Sequence, residues 1–155
     1  NRDVHVGYLD YTRKNTLDLA FKYLGNRYGW GGSLNSRDCS ELVMSVYSCF
    51  GFKLPRDVST QSKIPTAQSV ANMTDYEKSV VLDNTPAGAI LQFKGHEMLY
   101  LGKVNGKYYI LNASGSINSN GVNTYINTIT IYSLDVLRAN GVSFYSAINN
   151  VVNIK

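Results

Sequence analysis

A chain of 155 residues, 44% hydrophobic and 17% charged, is long enough for one packed domain and too apolar for a disordered one. Its net charge of +4 comes from scattered Lys and Arg, which suits an acidic partner but excludes the massed basic face of a nucleic-acid binder. No apolar run reaches the ~18 residues that cross a bilayer, so no membrane span is expected.

The chain begins at Asn1 with no signal-like start and reads as a piece of a longer protein, with residues 1 to 13 a lead-in and 14 to 155 the domain. "NTLDLAFKYLG" reads as a helix: Asn15 can cap it, Leu17, Ala20, Phe21 and Leu24 share a face, and Gly25 can end it. "NRYGWGGSLNSR" is a loop, because its glycines and Asn35 favour turns. "CSELVMSVYSCF" is a second helix with Leu42, Val43, Val46 and Phe50 inward and Gly51 as its stop. "LPRDVSTQSK" is a short helical turn; residues 62 to 86 are irregular, with a helical piece near "TDYEKS". "AILQF", "MLYLGKV" and "KYYILNA" are short strands, the last two joined by an Asn105-Gly106 hairpin turn. "NTYINTITIY" is a further strand, "SLDVLRANG" a short helix and "VSFYSAI" a final strand. Helices followed by antiparallel strands predict an α+β domain, with the N-terminal helices on one face of the sheet.

The two cysteines lie ten residues apart in one helix, roughly 15 Å, too far for a disulfide, so both thiols are free. Asp38 is a good N-cap with Glu41 at N3, an acidic version of the capping box, which makes Cys39 the first helical residue. There unpaired backbone N–H groups favour thiolate, while Asp38 opposes it. Cys49, deep in "SVYSCF", fits a structural thiol; Cys39, among charged and polar neighbours, fits a nucleophile. Of the two histidines, His5 lies in the unpatterned lead-in, whereas His96 opens a strand whose alternation sends His96, Met98 and Tyr100 one way and Glu97 the other. His96 is therefore the candidate base, and Asn112, across the hairpin, the candidate for orienting it.

Taken in order, "YLGNRYGWGG", "RDCSELV", "LPRDVSTQ", "PAGAILQFKGHEMLYLG" and "YYILNASG" resemble the NlpC-type family of papain-like cysteine peptidases, from about Asn15 to Gly115. The resemblance implies a papain-like fold and hydrolysis of peptidoglycan stem peptides, usually between γ-D-glutamate and a diamino acid. It makes Cys39 the nucleophile, His96 the base and Asn112 its orienting partner. Tyr28 would line the oxyanion site beside the Cys39 N–H, and Asp38 and Ser40 would contact the peptide end, Asp38 suiting a free L-alanyl amine. It implies upstream Src-homology-3-like domains and a secreted or wall-associated parent, with cytoplasmic recycling as the alternative; a monomer without a cofactor is expected, and a metal site has little support because the two cysteines and two histidines lack ligand spacing. Trp30, Gly31 and Gly32 read as a packed aromatic and a tight turn, and Arg56 as a surface residue. Two positions depart from the family pattern: Glu97, directly after the base, where an apolar residue is usual, and Ala89, where an acid is common. Rival readings are an amidase cutting between muramic acid and L-alanine, and a fold-retaining module that binds wall peptides without cutting.

Overall fold

The Thr12 hydroxyl accepts the Asn15 amide at 3.1 Å and so starts α1 (Arg13–Phe21), in a computed structural model that describes residues 4–155. The cap expected at Asn15 thus falls three residues earlier, and the Asn15 side chain donates instead to the Asp10 carbonyl. The register is held from outside the helix: the Leu9 amide donates to the Cys49 carbonyl, and Tyr11 stacks edge-on against Phe50 and Phe52 while its hydroxyl donates to Ile154. The lead-in from Leu9 is therefore packed onto the domain; residues 1 to 3 of it lie outside the described residues. Because α1 ends at Phe21, Leu24 leaves the helical stripe; Phe21 and Leu24 stay exposed, and Thr16 and Ala20 are the buried pair.

The loop that follows folds into 3-10 turns at Trp30–Asn35, and α2 (Cys39–Ser48) starts at Asp38, whose carboxylate accepts the Glu41 amide at 2.9 Å. Leu42, Val43, Val46 and Phe50 are all buried as the pattern requires. Each such side chain contributes about 1.5–3 kcal/mol of hydrophobic stabilisation. The short α3 (Val58–Gln61) and α4 (Asp75–Asp83, with a full Thr74–Glu77 capping box) match the helical signals seen in the sequence.

Among the described residues the sheet has six antiparallel strands: β1 (Ala67–Ser69), β2 (Ile90–Phe93), β3 (His96–Val104), β4 (Lys107–Ser119), β5 (Val122–Ser133) and β6 (Asn150–Val152), in spatial order β1-β6-β2-β3-β4-β5. The Asn105-Gly106 turn joins β3 to β4 with both residues at positive φ (49° and 78°), as a two-residue hairpin demands. Alternation divides the core. Leu99 and Leu111 pack with α2 and Ala20 of α1 on one face; Met98, Tyr100 and Ile110 pack with Leu82 of α4 and Phe144 on the other. The N-terminal helices do cover one face of an α+β sheet.

Two assignments near the C-terminus are reversed. "SLDVLRANG" forms turns, anchored where Leu137 bridges Asn118 and Ser143. "VSFYSAI" contains the helix α5 (Phe144–Ala147), because the Ser143 hydroxyl accepts the Ser146 amide at 3.0 Å and caps a turn. The last strand, β6, lies just beyond and pairs with β1, a three-residue strand too short and polar to be read from the sequence.

Candidate active site

Four of the residues singled out in the sequence gather at the N-terminus of α2. Cys39 is its first residue and is nearly buried beside β3, whose Glu97 amide donates to the sulfur. Asp38 caps the helix and gathers further donors: the Gly31 amide at 3.1 Å, the Ser40 hydroxyl at 3.3 Å and the Arg56 guanidinium in an ion pair. Arg56 also donates to the Ser40 hydroxyl at 2.6 Å. Tyr28 lies close enough for the charges of Cys39 and Asp38 to add to burial in raising its hydroxyl pKa. Glu41 contributes only its amide to the cap, because its carboxylate lies against Gly32, where a Cβ would collide with it.

Two expectations change here. Trp30 is not a packed aromatic: it is 81% exposed and lines, with Asp38, Cys39, Ser40, Arg56 and Gly95, a cleft of about 460 Å³. Arg56 is not an ordinary surface arginine, since it joins Asp38 to Ser40 beside the cysteine.

On the far side of Gly95 lies a second hollow, of about 290 Å³, lined by His96 with Phe93, Arg138 and Phe144. A two-residue turn, Lys94-Gly95 with Gly95 at φ 79°, reverses the chain so that His96 opens β3 opposite Phe93. The register Leu99↔Leu111 makes Asn112 a diagonal cross-strand neighbour of His96. His96 Nε2 meets Asn112 Oδ1 at 2.8 Å, and Asn112 Nδ2 donates to the Tyr132 hydroxyl from β5. Since Oδ1 accepts, Nε2 carries the proton and Nδ1 is left as the base. Asn112 lies inside β4 rather than at its end, so it is no turn former. Tyr132 escaped the sequence reading: alternation on "TITIY" groups it with Thr128 and Thr130 rather than with the isoleucines, and only the β4–β5 register reveals its partner. His5 is exposed and lines a separate hollow with Cys49.

Burial governs the electrostatics. It pushes the Cys39 thiol up to about 11: burial, with the Glu97 and Asp38 charges adding to it, outweighs the Glu97 and Ser40 amides that favour thiolate. The helix terminus alone therefore does not ionise this cysteine. Burial likewise pushes His96 down to about 4, with the Arg138 charge assisting and the Asn112 bond opposing. Asp38 goes the other way: burial would raise it, but Arg56 and the Glu41 and Gly31 amides hold it below the usual carboxylate range. Glu97 does face away from His96, as alternation requires. Its carboxyl is buried behind Cys39, where desolvation raises it to about 7.

The NlpC/P60 family model matches residues 25–136. The chain belongs to the NlpC/P60 family, a family of papain-like peptidases. It is similar to the dipeptidyl-peptidase 6 of Lysinibacillus sphaericus, 30% identical over 112 residues that cover 72% of this chain and 35% of that one. The chain thus spans about a third of the length of that curated relative. Among solved structures, an NlpC/P60 endopeptidase from Photobacterium damselae subsp. piscicida superposes with a TM-score of 0.74 at 21% identity, over 90% of this chain and 38% of that one. RipD of Mycobacterium tuberculosis, described as a non-catalytic peptidoglycan-binding NlpC/P60 domain, gives 0.53 at 16% identity over 94% of this chain and all of that one.

Proposed function

We propose that the chain is a cysteine endopeptidase that hydrolyses peptidoglycan stem peptides at the bond between γ-D-glutamate and a diamino acid. The observation that carries this reading is the His96–Asn112 pair, which leaves Nδ1 free as a base in a hollow that shares Gly95 with the cleft of a helix-N-terminal cysteine. At rest both partners are neutral, so the reaction starts from a thiol and an imidazole rather than from an ion pair. Cys39 Sγ attacks the carbonyl carbon as His96 Nδ1 takes its proton. The oxyanion is stabilised by the Cys39 amide and the Tyr28 hydroxyl. His96 then protonates the leaving amine, and water attacks the thioester with His96 again as base. Asp38 and Ser40 hold the amino end of the peptide, in competition with Arg56, which already pairs with Asp38.

The reading includes a wall-associated site of action and upstream Src-homology-3-like domains in the parent chain. Similarity to RipD favours a second reading, a module that binds wall peptides without cutting. An amidase cutting between muramic acid and L-alanine would use the same groups. The test is a digest of defined stem peptides, with and without a free L-alanyl amine, followed by mass spectrometry alongside Cys39→Ala. Cleavage after D-glutamate, lost with Cys39→Ala, supports the endopeptidase. A released intact stem peptide means the amidase, and binding without any cut means the module.

A further inference from the structure

Behind Cys39, on the α2 side of β3, a polar cluster is sealed in the core. Glu97 is 1% exposed, Gln92 of β2 is 1% exposed and Gln61 of α3 is fully buried. Gln92 Nε2 donates to Glu97 Oε2 at 2.8 Å, while Gln61 Nε2 is engaged by the Pro55 carbonyl at 2.9 Å. Two oxygens remain buried without a partner: Glu97 Oε1 and Gln61 Oε1. Each is a buried acceptor left unsatisfied, a costly state inside a core. Gln61 lies close enough to act on the Glu97 carboxyl, where its amide favours the charged form without cancelling the effect of burial. A single proton on Glu97 Oε1, donated to Gln61 Oε1, satisfies both.

We infer that Glu97 is a positioning residue held as a neutral carboxylic acid behind the nucleophile, and that its ionisation opposes that of Cys39. The inference rests on the reading of Cys39 as the nucleophile. The coupling is geometric: the Glu97 amide donates to the Cys39 sulfur while its carboxyl charge acts on the same atom. Carboxylate and thiolate would be adjacent anions in a site with little water, and such pairs do not both ionise readily. The charged groups facing Glu97 divide in sign: Asp38, capping α2, disfavours its ionisation, and Arg56 favours it. Arg56 is committed to Asp38 and Ser40, so the carboxyl is left with neutral amide neighbours, Gln92 and Gln61, and no paired charge. Burial sets the transition near neutrality, at about 7. Below it the cysteine faces a neutral wall; above it Glu97 bears a charge that holds the proton on sulfur.

The experiment is the pH profile of iodoacetamide alkylation at Cys39, resolved from Cys49 by peptide mass spectrometry, in the native chain and in Glu97→Gln. The amide retains the shape and can donate to Gln61 Oε1 while accepting from Gln92. Alkylation of Cys39 in Glu97→Gln is expected to be about three- to tenfold faster than in the native chain at pH 8, the size of effect one charge at this range exerts. The two profiles should converge at acid pH. Superimposed profiles would overturn the inference. Infrared difference spectroscopy on the native chain gives an answer independent of the variant's folding. A protonated carboxyl C=O band that titrates away around the transition near 7 and is absent from Glu97→Gln is expected. A band already lost in the ordinary carboxylate range overturns the proposal. Neither readout needs a substrate, so a chain that cuts no stem peptide would sink the endopeptidase reading and leave this one to be decided on its own.

Discussion

Two carboxyl groups flank Cys39, and the protein treats them oppositely. Asp38 accepts from the Gly31 and Glu41 amides, the Ser40 hydroxyl and Arg56, and stays ionised despite burial. Glu97 accepts from the neutral Gln92, keeps an oxygen without a donor, and is pushed toward the acid form. Both are buried, Glu97 the more deeply. The balance between desolvation and the number and charge of donors decides which form survives, and both outcomes bear on one sulfur.

The sharpest way to probe this arrangement is to remove what it surrounds. Cys39→Ala should abolish peptide hydrolysis in the mass-spectrometric digest, and His96→Ala should lower kcat/KM by about 10²–10⁴-fold. Loss of the orienting amide comes next: Asn112→Ala is expected to cost about 5- to 100-fold, by leaving His96 Nε2–H and the Tyr132 hydroxyl without their shared partner. Tyr132→Phe should cost only about 2- to 10-fold, since Asn112 keeps its bond to the ring. Equal losses in Asn112→Ala and Tyr132→Phe would mean that Tyr132 does more than hold the amide.

Stability separates the two carboxyls directly. Asp38→Ala removes both the helix cap and the counter-charge of Arg56, and urea denaturation at pH 7 should show a loss of about 1–3 kcal/mol. Glu97→Gln should be neutral or stabilising under the same conditions, because its amide supplies the donor that Gln61 Oε1 lacks. A Glu97→Gln variant as damaged as Asp38→Ala would refute the neutral-acid assignment.

The smallest effect is the slope of stability against pH. Glu97 has a raised folded pKa, so below its unfolded value, near 4.5, its contribution is fully present, and it is lost as pH climbs to about 7. His96 has a depressed folded pKa, so between about 4 and 6.5 the unfolded chain binds the extra proton and stability rises with pH. The two slopes oppose each other over nearly the same window. The native chain should therefore show a shallow Tm profile there, and Glu97→Gln a clearly rising one.

The cap at Asp38, the apolar stripe of α2, the Asn105-Gly106 turn and the opposite facing of His96 and Glu97 were legible because each depends on residues within a few positions of one another. What went astray lay where distant contacts chose between local options. Thr12 rather than Asn15 caps α1, because Leu9 and Tyr11 dock on α2 and the C-terminal segment. The segment after β5 alternates like a strand, but Ser143 caps a helix there, on the face built around Phe144 and Leu134.

The same division runs through the site. Sequence alone determined the α+β class, the cysteine at a helix N-terminus, the histidine opening a strand and the asparagine one hairpin away. Those follow from periodicity, capping and alternation, which act over a turn of helix or a pair of strands. Only the tertiary structure decided that Arg56 joins Asp38 and Ser40, that Tyr132 holds Asn112, that Trp30 stands exposed at the cleft and that Glu97 lies sealed behind Cys39. Desolvation and the supply of hydrogen-bond donors are properties of the packed surroundings, and these come from segments up to scores of residues apart in the chain.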